Sequence, residues 1–182
     1  NTTSTAITIR GTTALTLPNV TTAGGLILGD NSFAITGNIT QAQNSVIQAA
    51  SLNIGTVTTA VGGSVVLANL NKIDTLNLSN VTNVEGTQYD LDIADTTGGL
   101  TIAGAQTSTG GIRIATAKST GAVGTLVIGA NNITASGDIS LAGETISQLS
   151  GSSINADGSG DWLELTHGRN GLDRDNNYYS FS

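Results

Sequence analysis

The chain has 182 residues, a formal charge of −7, no Cys, no Met and only 10% charged residues. That length allows one domain with a sizeable core. The missing Cys removes disulfides and thiolate metal sites, and the negative balance argues against nucleic acid, whose phosphates it would repel. No apolar run approaches the roughly 20 residues of a membrane helix, and no charged-then-apolar leader opens the chain. With Asn1 first and no Met, the sequence reads as a processed or excised piece of something longer. One Trp, three Tyr and two Phe supply all the aromatic bulk, so any core is built of Val, Ile, Leu and Ala.

In chain order, Ile7-Thr8-Ile9 and Leu15-Thr16-Leu17 place apolar residues two apart, which is strand periodicity. Pro18, the only proline, marks a corner because it cannot donate to a ladder. Leu26-Ile27-Leu28 follows the pair Gly24-Gly25, and Phe33-Ala34-Ile35 follows Gly29-Asp30-Asn31. Residues 41–52 collect helix-favouring residues without a 3.6-residue stripe, so an extended strand or short excursion is expected there, and Leu52-Asn53-Ile54 resumes the alternation. The stretch 62–82 contains the whole pattern: Gly62-Gly63, a run Val65 to Leu67, polar turn formers, a run Leu76 to Leu78, then a second turn.

Further runs are Tyr89-Asp90-Leu91-Asp92-Ile93, Leu100-Thr101-Ile102, Ile112-Arg113-Ile114, Leu126-Val127-Ile128, Ile139-Ser140-Leu141 and Leu163-Glu164-Leu165. Gly pairs recur loosely, and a coil of two or three such strands would take roughly 20 to 35 residues. Many short strands fit either a sandwich or barrel with hairpins, or a parallel β-helix. Hairpins favour Asn-Gly or Asp-Gly turns, which occur only at Asp157-Gly158 and Asn170-Gly171, beyond the repetitive part. The expectation is therefore an all-β chain, a right-handed parallel β-helix (β-solenoid) over 1–150, with Asn and Thr stacked at successive corners. Residues 151–182 are Gly/Ser-rich and then hold Trp162, Tyr178, Tyr179 and Phe181. They read as a terminal cap over the last coil or a junction segment, with an aromatic ligand-binding patch or a plain tail as alternatives.

The openings Gly98-Gly99-Leu100-Thr101-Ile102 and Gly62-Gly63-Ser64-Val65-Val66-Leu67, with Leu76-Asn77-Leu78-Ser79-Asn80-Val81-Thr82, resemble the β-helical shafts of filamentous-haemagglutinin-like exoproteins. The resemblance covers about residues 5–150 and rests on degenerate repeats. The Asn-Pro-Asn motifs of that family's secretion domain are missing, Pro18-Asn19 being only a fragment, which points to the shaft or distal region. The resemblance implies a non-catalytic adhesin exported by two-partner secretion through an outer-membrane transporter. It further implies a secreted or Gram-negative surface location and, as partner, a glycan or protein of a host or bacterial cell surface.

Three groups of residues carry candidate chemistry. Strand alternation puts Asp90 and Asp92 on one outward face, and Arg113, 21 residues after Asp92, falls about one coil further on. Carboxylates with an arginine on a β-helix face are similar to the active sites of polysaccharide lyases and hydrolases on that fold, the alternative function; the bland alternative is a solvated face with a weak ion pair. In the second group, Asn155, Asp157, Ser159 and Asp161 alternate as in a calcium loop, with Gly160 sixth, but Thr166 stands where a bidentate Glu is needed. An Asp/Gly turn is the better expectation; calcium is the one cofactor such a loop would take. Trp162, Tyr178 and Tyr179 form the third group, as candidate binding aromatics. His167 is the sole histidine, too little for a structural zinc site, and no Gly-x-Ser-x-Gly elbow accompanies it. Sequons stand at Asn1, Asn19, Asn38, Asn77, Asn80 and Asn132, several of them expected by chance in a chain rich in Asn and Thr. Isolated Thr-x-Thr pairs at Thr56 and Thr107 are too few for an ice-binding ladder.

Overall fold

The computed structural model describes residues 5–11, 13–30, 32–55, 63–78, 91–95, 99–108, 110–116, 124–158 and 162–167. In chain order the strands are β1 (Ile7–Ile9), β2 (Leu15–Leu17), β3 (Val20–Thr21), β4 (Gly25–Leu28), β5 (Ile39–Gln41), β6 (Ile47–Ile54), β7 (Val65–Leu78), β8 (Leu91–Asp95) and β9 (Gly99–Ile102). They continue with β10 (Gln106–Ser108), β11 (Ile112–Thr116), β12 (Thr125–Ile128), β13 (Asn132–Ala135), β14 (Ile139–Gly143), β15 (Thr145–Gln148), β16 (Ser153–Ala156) and β17 (Leu163–His167). No helix occurs among the described residues.

Every ladder between these strands is parallel, and the partners lie one coil apart, so the chain is a β-solenoid. One face stacks β1, β4, the second half of β6, the second half of β7, β9, β12 and β15. A second face stacks β2, β5, the start of β7, β8, β11, β14 and β17. A third face, in the later coils, stacks β10, β13 and β16. Ladder partners on neighbouring coils lie 19 to 27 positions apart, for example Ile7 with Leu26 and Ile112 with Ile139. The coil is thus at the short end of the length expected from the sequence.

The alternation does what the physics of a pleated strand requires: in β4, β9 and β12 the second and fourth residues are buried and the others half-exposed. Leu26, Leu52, Leu76, Ile102 and Ile128 form one aliphatic column, each fully or almost fully buried. Ile39, Val65, Ile112 and Ile139 are fully buried within another. Burying a Leu or Ile side chain contributes about 1.5–3 kcal/mol, so these columns are the main source of cohesion along the axis.

The coil contacts have a fixed polarity. On the first face the carbonyls of the inward residues Ile9, Leu28, Leu76, Ile102 and Ile128 accept from Gly29, Gly55, Ala103, Gly129 and Leu149 of the following coil, at 2.8–2.9 Å. On the second face the inward Leu15, Ile39, Ile112 and Ile139 donate N–H to Asn38, Ser64, Asp138 and Trp162 of the following coil, at 2.8–2.9 Å. Inward residues therefore bond forward along the axis, and the outward residues between them bond backward, as parallel ladders demand.

Three details depart from the sequence reading. The stretch 65–78 is one strand of 14 residues, not two runs around a turn. It crosses from the second face to the first while staying extended, with a register irregularity between Leu67 and Asn71. Its corner is satisfied by side chains: Asn71, fully buried, donates from Nδ2 to the Leu67 carbonyl at 2.9 Å, and its Oδ1 accepts the Ile47 N–H at 2.9 Å. Secondly, Phe33-Ala34-Ile35 is not a strand. Asp30 Oδ1 accepts the N–H groups of Ser32 and Phe33, both at 2.9 Å, so local bonds of an Asx turn replace the ladder. Ile35 still reaches the core, fully buried. Thirdly, parallel pairing continues past residue 150, because β16 and β17 stack on β13 and β14. The coil region therefore includes residues up to His167. Within 41–52, the chain turns at Asn44 (φ 60°) and then runs as β6.

Candidate functional site

The ladder of the second face brings together two of the charged residues singled out above, Asp92 and Arg113. Its register reads Val66 opposite Asp92, Asp92 opposite Arg113, Arg113 opposite Ser140, and Ser140 opposite Glu164. Asp92 and Arg113 are thus backbone neighbours on adjacent coils, as the 21-residue spacing suggests. Asp90 lies outside the described residues. Ser140, nearly buried, donates from Oγ to Glu164 Oε2 at 3.0 Å, which fixes that carboxylate against the sheet. Thr16 and Thr40 share a hydroxyl hydrogen bond at 3.1 Å lower in the same column.

Ladder spacing limits the chemistry of this column. Asp92 and Glu164 stand three coil steps apart through Arg113 and Ser140, about 14 Å of backbone at the usual ~4.8 Å per step. Paired carboxylates of glycosidases stand about 5–9.5 Å apart. The backbone separation of Asp92 and Glu164 is wider than that.

The remaining candidates are distributed as follows. Asn155 is in β16, exposed and opposite Thr134, and the Asp157 N–H donates to the Ala135 carbonyl at 2.7 Å. Ser159 and Asp161 lie outside the described residues. Among the described residues no three His, Asp or Glu side chains gather into a group able to hold a metal ion. Trp162 is 71% exposed just before β17; its N–H donates to Asp138 Oδ1 at 3.0 Å, and its carbonyl accepts from Ile139. Tyr178 and Tyr179 lie outside the described residues. His167 ends β17 opposite Gly143.

Two polar groups have no counterpart in the sequence reading. Gln41, Ser45, Asn69 and Asn71 make a corner network between coils: Gln41 Nε2 donates to Asn71 Oδ1 at 2.7 Å and Asn69 Nδ2 to the carbonyls of Ala42 and Ser45 at 2.8 and 3.0 Å. The second is a clip at the first coil. Arg10 forms an ion pair with Asp30 and lies over the Phe33 ring, 5.7 Å from its centroid. The N–H of Ser32, and beyond it that of Phe33 and the Arg10 charge, hold the Asp30 carboxyl below its ordinary value against a smaller opposing effect of desolvation. The signal was present as Asp30-x-Ser32, an Asx-turn pattern.

Comparison with known proteins finds no matching family model, no similar curated protein and no similar solved structure.

Proposed function

We propose that the chain is a structural and adhesive β-solenoid segment of a bacterial surface-exposed or secreted adhesin. Its role is to hold outward side chains at fixed positions along a stiff stack and present them to glycans or proteins of a host or neighbouring cell. The observation that carries this reading is the register itself: outward residues from Thr16 to Glu164 stand in one line, one per coil. Such a line is a multivalent surface without any moving part, and its reach grows with coil number at about 4.8 Å per coil. The resemblance to haemagglutinin-like shafts supports export through an outer-membrane transporter. The test is binding of the full chain to a glycan array and to intact cells, repeated without residues 151–182. Retained fold with lost binding places the binding tip in that segment; no binding to any glycan or cell surface sinks the adhesin reading.

A second reading, a polysaccharide lyase or hydrolase using Asp90, Asp92 and Arg113, has one observation in its favour, the pairing of Asp92 with Arg113 across coils. Turnover of an acidic polysaccharide that disappears in Asp92→Ala would replace the adhesin with the enzyme.

A further inference from the structure

We draw no further inference here: the strongest candidate, the uncharged outward row of the first face that aligns Ser51, Thr75, Thr101, Val127 and Ser147 on successive coils, is a stripe of small side chains, and nothing in the structure shows what covers it.

Discussion

Gln41 Nε2 donates to Asn71 Oδ1 at 2.7 Å, bridging two coils at the corner where β5 ends and β7 bends. Asn71 is fully buried, yet its amide also serves the Ile47 N–H and the Leu67 carbonyl. Asn71→Leu keeps the volume and removes these partners, leaving a buried N–H and a carbonyl unmet, which costs about 1–3 kcal/mol for each such group. The expected loss is about 2–4 kcal/mol in urea denaturation. A variant as stable as the parent would show that the corner is held by the strand alone.

The aliphatic columns give a sharper contrast. Leu52 is fully buried between Leu26 and Leu76, so Leu52→Ala removes its transfer energy and leaves a cavity, a loss of about 2–5 kcal/mol. Val127 is half-exposed on the same face, between Thr101 and Ser147. Val127→Thr should stay within about 0.5 kcal/mol of the parent. Equal losses at both positions, measured by urea unfolding, would mean that inward and outward residues are not distinguished as the burial indicates.

These contrasts also explain what the sequence could convey. Alternation at Leu26, Leu100, Ile112 and Leu126 exposed the strands directly, and the scarcity of Asn-Gly and Asp-Gly turns separated stacked coils from hairpins. The long strand β7 was hidden because alternation breaks at its bends: Asp74 and Thr75 are adjacent and neither is buried, while Ile73 and Leu76 on either side are. β6 does the same at Ala50 and Ser51, which makes a corner look like a turn. The pairing of Asp92 with Arg113 was legible as a 21-residue interval. Ser140 and Glu164 were not, because coil length is not constant: the following steps, Arg113 to Ser140 and Ser140 to Glu164, are longer.

Three glycines separate backbone strain from crowding. Gly104 has φ +75°, and an added Cβ would run into Asn77 Oδ1; Gly151 has φ +87° with nothing within 4 Å. The left-handed region costs an L-residue about 1–2 kcal/mol, so Gly151→Ala should lose that much, and Gly104→Ala more. Gly11 has neither problem, and Gly11→Ala should gain about 0.4–1 kcal/mol by restricting the unfolded chain. Thermal unfolding of the three variants that failed to rank in this order would contradict the backbone geometry.

The clip of Arg10, Asp30 and Phe33 makes a prediction in pH. The folded Asp30 carboxyl lies below its ordinary 3.8, chiefly through the Ser32 N–H. A lowered folded value means that the charged form contributes stability above the unfolded value, and that this contribution disappears as pH falls from there through the folded value. The difference in melting temperature between the parent and Asp30→Asn should therefore be constant above about pH 5 and shrink below 3.8. A difference unchanged down to strong acid would mean that the carboxylate charge plays no part in holding the turn.

The charged column of the second face can be tested without knowing any ligand. Arg113 stands between Asp92 and Ser140 in the ladder, with Glu164 one step beyond Ser140. Arg113→Glu would put a third carboxylate into this line directly opposite Asp92, and like charges on adjacent strands are destabilising by about the 0.2–1 kcal/mol that opposite charges contribute. The loss should be larger at low salt, where screening is weak, and Asp92→Lys in the same chain should restore it by reversing the pair. Recovery in the double variant locates the interaction between these two positions. If Arg113→Glu instead loses stability that Asp92→Lys cannot return, the arginine acts through Ser140 and Glu164, and a binding site centred on Asp92 loses its structural basis.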